Sequence, residues 1–314
     1  MDPAALLAAF RDLARPGPWL HRHQGGDGPR VVLVVCTHGD EVGPLPAAIE
    51  LIRDLREGRL QFAGELSVLV GNPEAVAAGR RGLDSDLNRV FVAEPPDDRE
   101  GRRARELKPI LERADLLLDL HQTGAPTASA FYILPYDRAH GDWARALAGA
   151  PLWITRPADQ AFSPSTCCVD EFVRLQGRVG LTLELSEKGL DPQTEAHAGR
   201  VMRRLLELAV DPRPIAELAA QQPEPEYLVL AHREPFGDPA RRLRPGLRNL
   251  EPVRAGQRLS PEGADEVVCP VDGRLLFPKY PRRDEQGRAL PPLPEELYRV
   301  VVPPPGHPRD LWAG

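Results

Sequence analysis

His38 and Glu41 stand three residues apart at the end of Val31-Val32-Leu33-Val34-Val35-Cys36-Thr37, and His121 ends a second apolar run, Asp115-Leu116-Leu117-Leu118-Asp119-Leu120. Imidazole nitrogen and carboxylate oxygen are zinc donors, and a catalytic zinc site usually takes three protein ligands and leaves one position open. His38, Glu41 and His121 make up such a set, which leads us to expect one Zn2+ per chain.

Residues 79–91 lie between these two runs and show neither helical nor strand period, while being dense in groups that bind anions. Arg89 can meet a carboxylate bidentately and Asn88 can add an amide donor, a pair suited to a substrate carboxylate. Arg81 is a donor that can face charge developing on a carbonyl oxygen. Asp86 is of the type that accepts the second ring N–H of a ligating histidine. Further on, Glu184 sits in the apolar frame Leu181-Thr182-Leu183-Glu184-Leu185, where an acid is costly unless paired or used. Its functional reading is a general base that takes a proton from attacking water and returns it to a leaving nitrogen.

These residues need a scaffold that brings distant strand ends together. The run at 31–36 reads as a strand buried on both faces, as in parallel sheets, and ligand sites in open α/β sheets lie beyond the carboxyl ends of such strands. A helix over 44–56, a strand over 66–70 and the turn Gly71-Asn72-Pro73 complete a unit expected to be a right-handed parallel crossover. Strands are expected at 115–121, 130–134 and 179–185, and helices at 103–111, 142–147 and 197–210, with a short amphipathic helix from Met1 that ends at Arg15-Pro16-Gly17-Pro18. The polar, proline-bearing stretch Gln221-Gln222-Pro223-Glu224-Pro225-Glu226 reads as a linker. Beyond it, short β-like runs recur at 227–231, 266–269, 274–277 and 298–302, and proline-heavy loops argue against long strands. The expected architecture is α/β: a mixed, mainly parallel central sheet flanked by helices over 1–220, and a small β-rich domain over 221–314.

The 314 residues carry a formal charge of -6 with arginines interspersed among acids, which gives no basic face for nucleic acid or an anionic membrane. Four cysteines, two of them adjacent at Cys167-Cys168, form neither a disulfide framework nor a CxxC knuckle, so a reducing cytoplasm is expected. No basic n-region precedes the first helix, and no apolar run approaches the ~20 residues that span a bilayer.

Five blocks in order, Thr37-His38-Gly39-Asp40-Glu41, Gly71-Asn72-Pro73, Asp86-Leu87-Asn88-Arg89-Val90-Phe91, Asp119-Leu120-His121 and Thr182-Leu183-Glu184-Leu185, resemble the succinylglutamate desuccinylase/aspartoacylase family, within the zinc-carboxypeptidase fold. The resemblance runs from about residue 30 to 190; Asn249 to Gln257 and Pro270-Val271-Asp272-Gly273 resemble that family's small β domain more loosely. It implies zinc on His38, Glu41 and His121, Glu184 as general base, Asn88 and Arg89 on the substrate carboxylate, Arg81 at the scissile carbonyl and Asp86 behind a histidine ligand. Arg80, beside Arg81, is the alternative for the carbonyl. It also implies a further substrate-binding arginine, matched by Arg174, and a tyrosine from the second domain that closes the site, for which Tyr280 is the candidate. Ser186-Glu187-Lys188-Gly189-Leu190 departs from the glycine- and phenylalanine-bearing segment of the desuccinylases proper and leaves the acyl group open. The implied activity is hydrolysis of a small anionic N-acyl amino acid to a carboxylic acid and a free amino acid. The alternatives are a metallocarboxypeptidase for short peptides and a non-catalytic binding protein of the same fold, and a homo-oligomer is left open.

Overall fold

The computed structural model describes residues 2–290 and 293–312; Met1, with which the first expected helix begins, lies outside them. Among the described residues the strands are Pro16–Gly17 (β1), Leu20–Gln24 (β2), Arg30–Val35 (β3), Glu65–Val70 (β4), Leu116–Thr123 (β5), Phe131–Tyr136 (β6), Leu152–Pro157 (β7), Val179–Glu187 (β8), Glu226–Pro235 (β9), Pro252–Val253 (β10), Gly273–Leu276 (β11) and Glu296–Val302 (β12). They form one sheet in the order β1-β2-β4-β3-β5-β8-β6-β7-β9-β12-β11-β10. From β4 to β9 neighbouring strands are parallel except where β6 runs against β8, so the sheet is mixed with a mainly parallel centre, as expected.

The centre is parallel because its strands are apolar on both faces and helices cover both. Val31, Leu33 and Val35 of β3 point into one core with Leu45, Ile52, Val201 and Leu205 of helices Leu45–Arg56 and Pro192–Ala209. Val32 and Val34 point into the other, with Ala104, Leu107 and Leu111 of helix Arg99–Leu111 and Val173 of helix Val169–Leu175.

Several elements exceed or escape the sequence reading. Helix Arg99–Leu111 starts four residues before the expected 103, because the Asp98 carboxylate caps it by accepting from Gly101 N at 2.7 Å. Helices Arg138–Leu147 and Pro192–Ala209 likewise begin earlier than expected, each behind a capping aspartate, Asp137 and Asp191. β2 reads as polar in sequence because it is the near-edge strand that pairs antiparallel with β4, and β7 is a short run between prolines. Residues 266–269 make only an isolated bridge, Arg258 to Val268. β9 has ten residues despite the surrounding prolines, since its Pro235 falls at the strand's end, where a missing N–H costs no ladder bond.

The segment beyond 221 has its own core, in which Leu247, Leu259, Leu275, Tyr298 and Val300 pack together. It also continues the central sheet. β9 pairs parallel to β7, and Phe131, Ile133, Leu152 and Ile154 share a core with Leu228, Leu276 and Val301.

Candidate metal centre and active site

β3 ends at Val35, and Cys36 just beyond it has a φ of 56°, a left-handed conformation rare outside glycine, so that the chain turns there and His38 and Glu41 come back over the strand end. Asn72 pins the neighbouring turn: its side-chain oxygen caps helix Pro73–Ala77 through Ala75 N, and its Nδ2 donates to Glu100 at 3.1 Å. A Cβ on Gly71 would lie 2.7 Å from Thr37 Cα, so glycine allows the two loops to touch.

His121 lies within β5 and is the register partner of Glu184 on β8. His38, Glu41 and His121 are all but fully buried, and their donor atoms lie within 4.8 Å of one another. Glu41 Oε1 is 2.8 Å from His38 Nδ1, Glu41 Oε2 is 2.8 Å from His121 Nδ1, and the two Nδ1 atoms are 3.2 Å apart. On their far sides the rings meet carboxylates, His38 Nε2 on Asp86 at 3.0 Å and His121 Nε2 on Asp119 at 2.7 Å. Thr37 Oγ1 donates to the other Asp119 oxygen at 2.8 Å. With a carboxylate on each Nε2 and Glu41 on each Nδ1, both rings stand between acceptors, an arrangement that calls for positive charge on the Nδ1 side, from protons or from a bound cation. By chemistry this donor set fits zinc; ligands of a tetrahedral zinc stand about 3.3–3.5 Å apart when the bonds are about 2.0–2.2 Å, so the three atoms would open by a few tenths of an ångström to admit it.

Burial alone would favour the neutral form of each group here, and the neighbouring charges overcome it. Glu41 is held well below the usual carboxylate range by His38 and His121, and His121 is held well above the usual imidazole range by Asp119 and Glu41. Glu184 goes the other way: burial, with Glu41 adding repulsion, pushes its carboxyl up to about 7. Its Oε2 is buried and has no partner among the described residues.

The loop over 79–91 is organised by Glu100, an acid the sequence reading passed over. Its carboxylate is 1% exposed and accepts from the backbone N–H groups of Leu83, Asp84 and Ser85 at 2.7, 3.0 and 3.1 Å. Thus anchored, the loop presents Arg81, whose guanidinium donates to Glu41 at 3.2 Å and to Asp86 at 3.1 Å, at the mouth of the site. Arg80 instead donates to the Leu83 carbonyl, which separates the two neighbours. Asn88 accepts from Val169 N at 2.9 Å, and Arg89 donates to the Asn88 carbonyl at 2.7 Å and to Cys168 Sγ at 3.4 Å while lying over the Phe162 ring.

A cavity of about 60 Å³ is lined by His38, Glu41, Arg81, Asn88, Arg89 and Glu184 together. His121 and Asp86 stand behind that lining, each against His38, and of the substrate-binding residues drawn from the resemblance two do not line it. Arg174, in the last turn of helix Val169–Leu175, donates to the Ala158 carbonyl instead, and Tyr280 is half exposed and bonds Leu247 N and the Arg244 carbonyl. The segment beyond 221 reaches the cavity through Phe277, Lys279 and Glu296. Burial, helped by Arg81, pulls the Lys279 ammonium down to about 8. Asp40 is joined to Lys188 at 2.6 Å and stays out of the cluster.

Fold and site together define an α/β protein with a His-Glu-His centre, competent for a metal, at the carboxyl ends of parallel strands. Residues 27–209 match the family described as the succinylglutamate desuccinylase/aspartoacylase catalytic domain, and the chain belongs to that family. A succinylglutamate desuccinylase from Burkholderia lata is 44% identical over 111 residues, 34% of this chain and 27% of its own length. The chain thus aligns with only about a quarter of such curated relatives. Among solved structures, the succinylglutamate desuccinylase/aspartoacylase from Rhodobacter sphaeroides superposes with a TM-score of 0.67 at 21% identity, covering 91% of this chain and 88% of that one. Murine aminoacylase 3 gives 0.59 at 23% identity, covering 90% and 98%. At these identities the shared property is the fold.

Proposed function

We propose that this protein hydrolyses the amide bond of an N-acyl amino acid, with Zn2+ held by His38, Glu41 and His121. Bound there, zinc would polarise the scissile carbonyl and make water a stronger acid. Arg89 holds the substrate carboxylate: one of its nitrogens is tied to Asn88 and Cys168, which orients the rest of the fork toward the cavity. Asn88, with its oxygen engaged by Val169 N and its amide nitrogen 3.5 Å from His121 Nε2, can turn an N–H to the same carboxylate. Arg81, at the mouth, stabilises negative charge on the carbonyl oxygen. Glu184 takes a proton from the attacking water and passes it to the leaving amine, and a carboxyl near 7 suits both transfers at neutral pH.

The observation that carries the reading is the buried, unpartnered Glu184 Oε2, in the same cavity as His38 and Glu41 and on the register partner of His121. Such an acid is costly unless it is used. The small cavity walled by Phe277, Lys279 and Glu296 favours an acylated single amino acid over a peptide, which would need an open groove. Arg89 and Lys279 on its walls favour a carboxylate-bearing substrate, and four free, buried cysteines favour a reducing, cytoplasmic compartment.

The test combines metal and turnover. Purified protein is expected to take up one zinc per chain and to release free amine from a panel of N-acetyl, N-formyl and N-succinyl amino acids. Glu184→Gln should retain zinc and lose about 100-fold or more of kcat. Zinc uptake without any hydrolysis would leave a binding protein, and near-normal turnover in Glu184→Gln would remove the base.

A further inference from the structure

Once the internal ion pairs are set aside, the cavity retains acids as well as cations. Glu41 is engaged by the two histidines, Glu296 by Arg299 and Arg233, and Arg156 by Glu171 at 2.7 Å. Asp170 is left. It lines the cavity and is 4% exposed, and although Arg156 and Arg174 are near enough to attract its carboxylate, neither bonds to it among the described residues. Arg174, on the same short helix, is turned to the Ala158 carbonyl. Beside it on the cavity wall is Thr182, 5% exposed, whose Oγ1 also lacks a partner among the described residues. Thr182 precedes Glu184 by two residues on β8 and so shares its face of the strand.

This placement is built into the backbone. A Cβ on Gly180 would lie 2.4 Å from the Asp170 carbonyl oxygen, so only glycine lets helix Val169–Leu175 sit directly on β8 and bring Asp170 to the wall. Val169 N is fastened to Asn88, which couples Asp170 to the loop that carries the carboxylate clamp.

A buried carboxylate and a buried hydroxyl with no internal donor are acceptors waiting for one, and the ligand that best offsets a buried negative charge is a cation that donates hydrogen bonds. We infer that Asp170 and Thr182 form a subsite for an ammonium group on the side chain of the substrate's amino acid, making the substrate an N-acylated diamino acid. The inference rests on the deacylase reading for the word substrate, and the subsite itself is a matter of binding. Carboxylate on Arg89 and ammonium on Asp170 would then fix the two ends of the amino acid and hold its acylated nitrogen between them.

The test uses the isosteric pair Nα-acetylornithine and Nα-acetylnorleucine, which differ by an ammonium in place of a methyl. Binding to the zinc-loaded full chain is measured by calorimetry, and amine release is followed separately. Wild type should bind the ornithine derivative about 10- to 100-fold more tightly. Asp170→Asn, nearly isosteric, should bring that ratio close to one through loss of ornithine binding, and Thr182→Val should lower it by a smaller factor. Equal binding of the pair by wild type, or an unchanged ratio in Asp170→Asn, overturns the subsite. So does a fall in melting temperature in Asp170→Asn with the ratio intact, which would make Asp170 a structural acid at a helix start. Selective binding of the ornithine derivative without release of amine from either compound would keep the subsite and overturn the deacylase reading instead.

Discussion

Glu184 and the aspartates behind the histidines show how single residues are tuned. In the unfolded chain the Glu184 carboxyl has its ordinary value of 4.5, and in the fold it is about 7, so the folded state disfavours its ionised form. The resulting penalty is absent below pH 4.5, grows between 4.5 and 7, and is complete above 7. Glu184→Gln should therefore raise the melting temperature of metal-free protein at pH 8 and leave it unchanged at pH 4, as read by thermal unfolding. Activity runs the opposite way. The base must be ionised, so kcat/KM should fall as pH drops through an inflection at or below 7, since bound zinc would draw that inflection down. Asp119 orients His121 as Asp86 orients His38. Asp119→Asn should weaken zinc binding by about 10- to 100-fold, measured by competition with a chelating dye, because the amide can present an N–H to Nε2 and disturb the ring's tautomer.

Among the elements, the loop over 79–91 depends most on a single support. It crosses the mouth of the site without regular structure beyond the short 3-10 turn Leu87–Arg89, and three of its backbone N–H groups end on Glu100. Loss of that acceptor would strand buried donors and release Arg81 and Arg89 together. Glu100→Ala should cost about 3–5 kcal/mol by denaturant unfolding. It should also raise KM for carboxylate-bearing substrates although Glu100 touches none. A stability loss with KM unchanged would show that the loop keeps its shape by other means.

On the scale of the whole molecule, the single sheet ties the segment beyond 221 to the rest. β7 would become an edge without β9, and Leu152, Ile154, Phe131 and Ile133 would lose their apolar cover from Leu228, Leu276 and Val301. A chain ending at residue 225 should therefore aggregate or melt well below the full-length protein, checked by size exclusion and thermal unfolding. A stable, monomeric 1–225 fragment would show that the shared core is dispensable. That segment also supplies Phe277, Lys279 and Glu296 to the cavity, so the site is completed across the length of the chain.

The His-Glu-His cluster was legible in the sequence because its signals are local. Apolar runs, of valine in β3 and of leucine in β5, define buried strands, and His38, Glu41 and His121 follow where those runs stop. The loop over 79–91 announced itself in the same way, by lacking any period. Even Asp119 was within reach, since residues two apart on a strand share a face and it precedes His121 by two. What tertiary structure alone decided is whatever depends on through-space contact between segments far apart in the chain. Nothing near Glu100 says that it will cap a loop 15 to 17 residues away. Nor does local pattern say that Arg174 will turn from the cavity while Asp170, on the same short helix, reaches its wall, or that Lys279 rather than Tyr280 will close it. Those outcomes follow from packing: which backbone can approach which, as at Gly180, and which buried charge another charge has already answered.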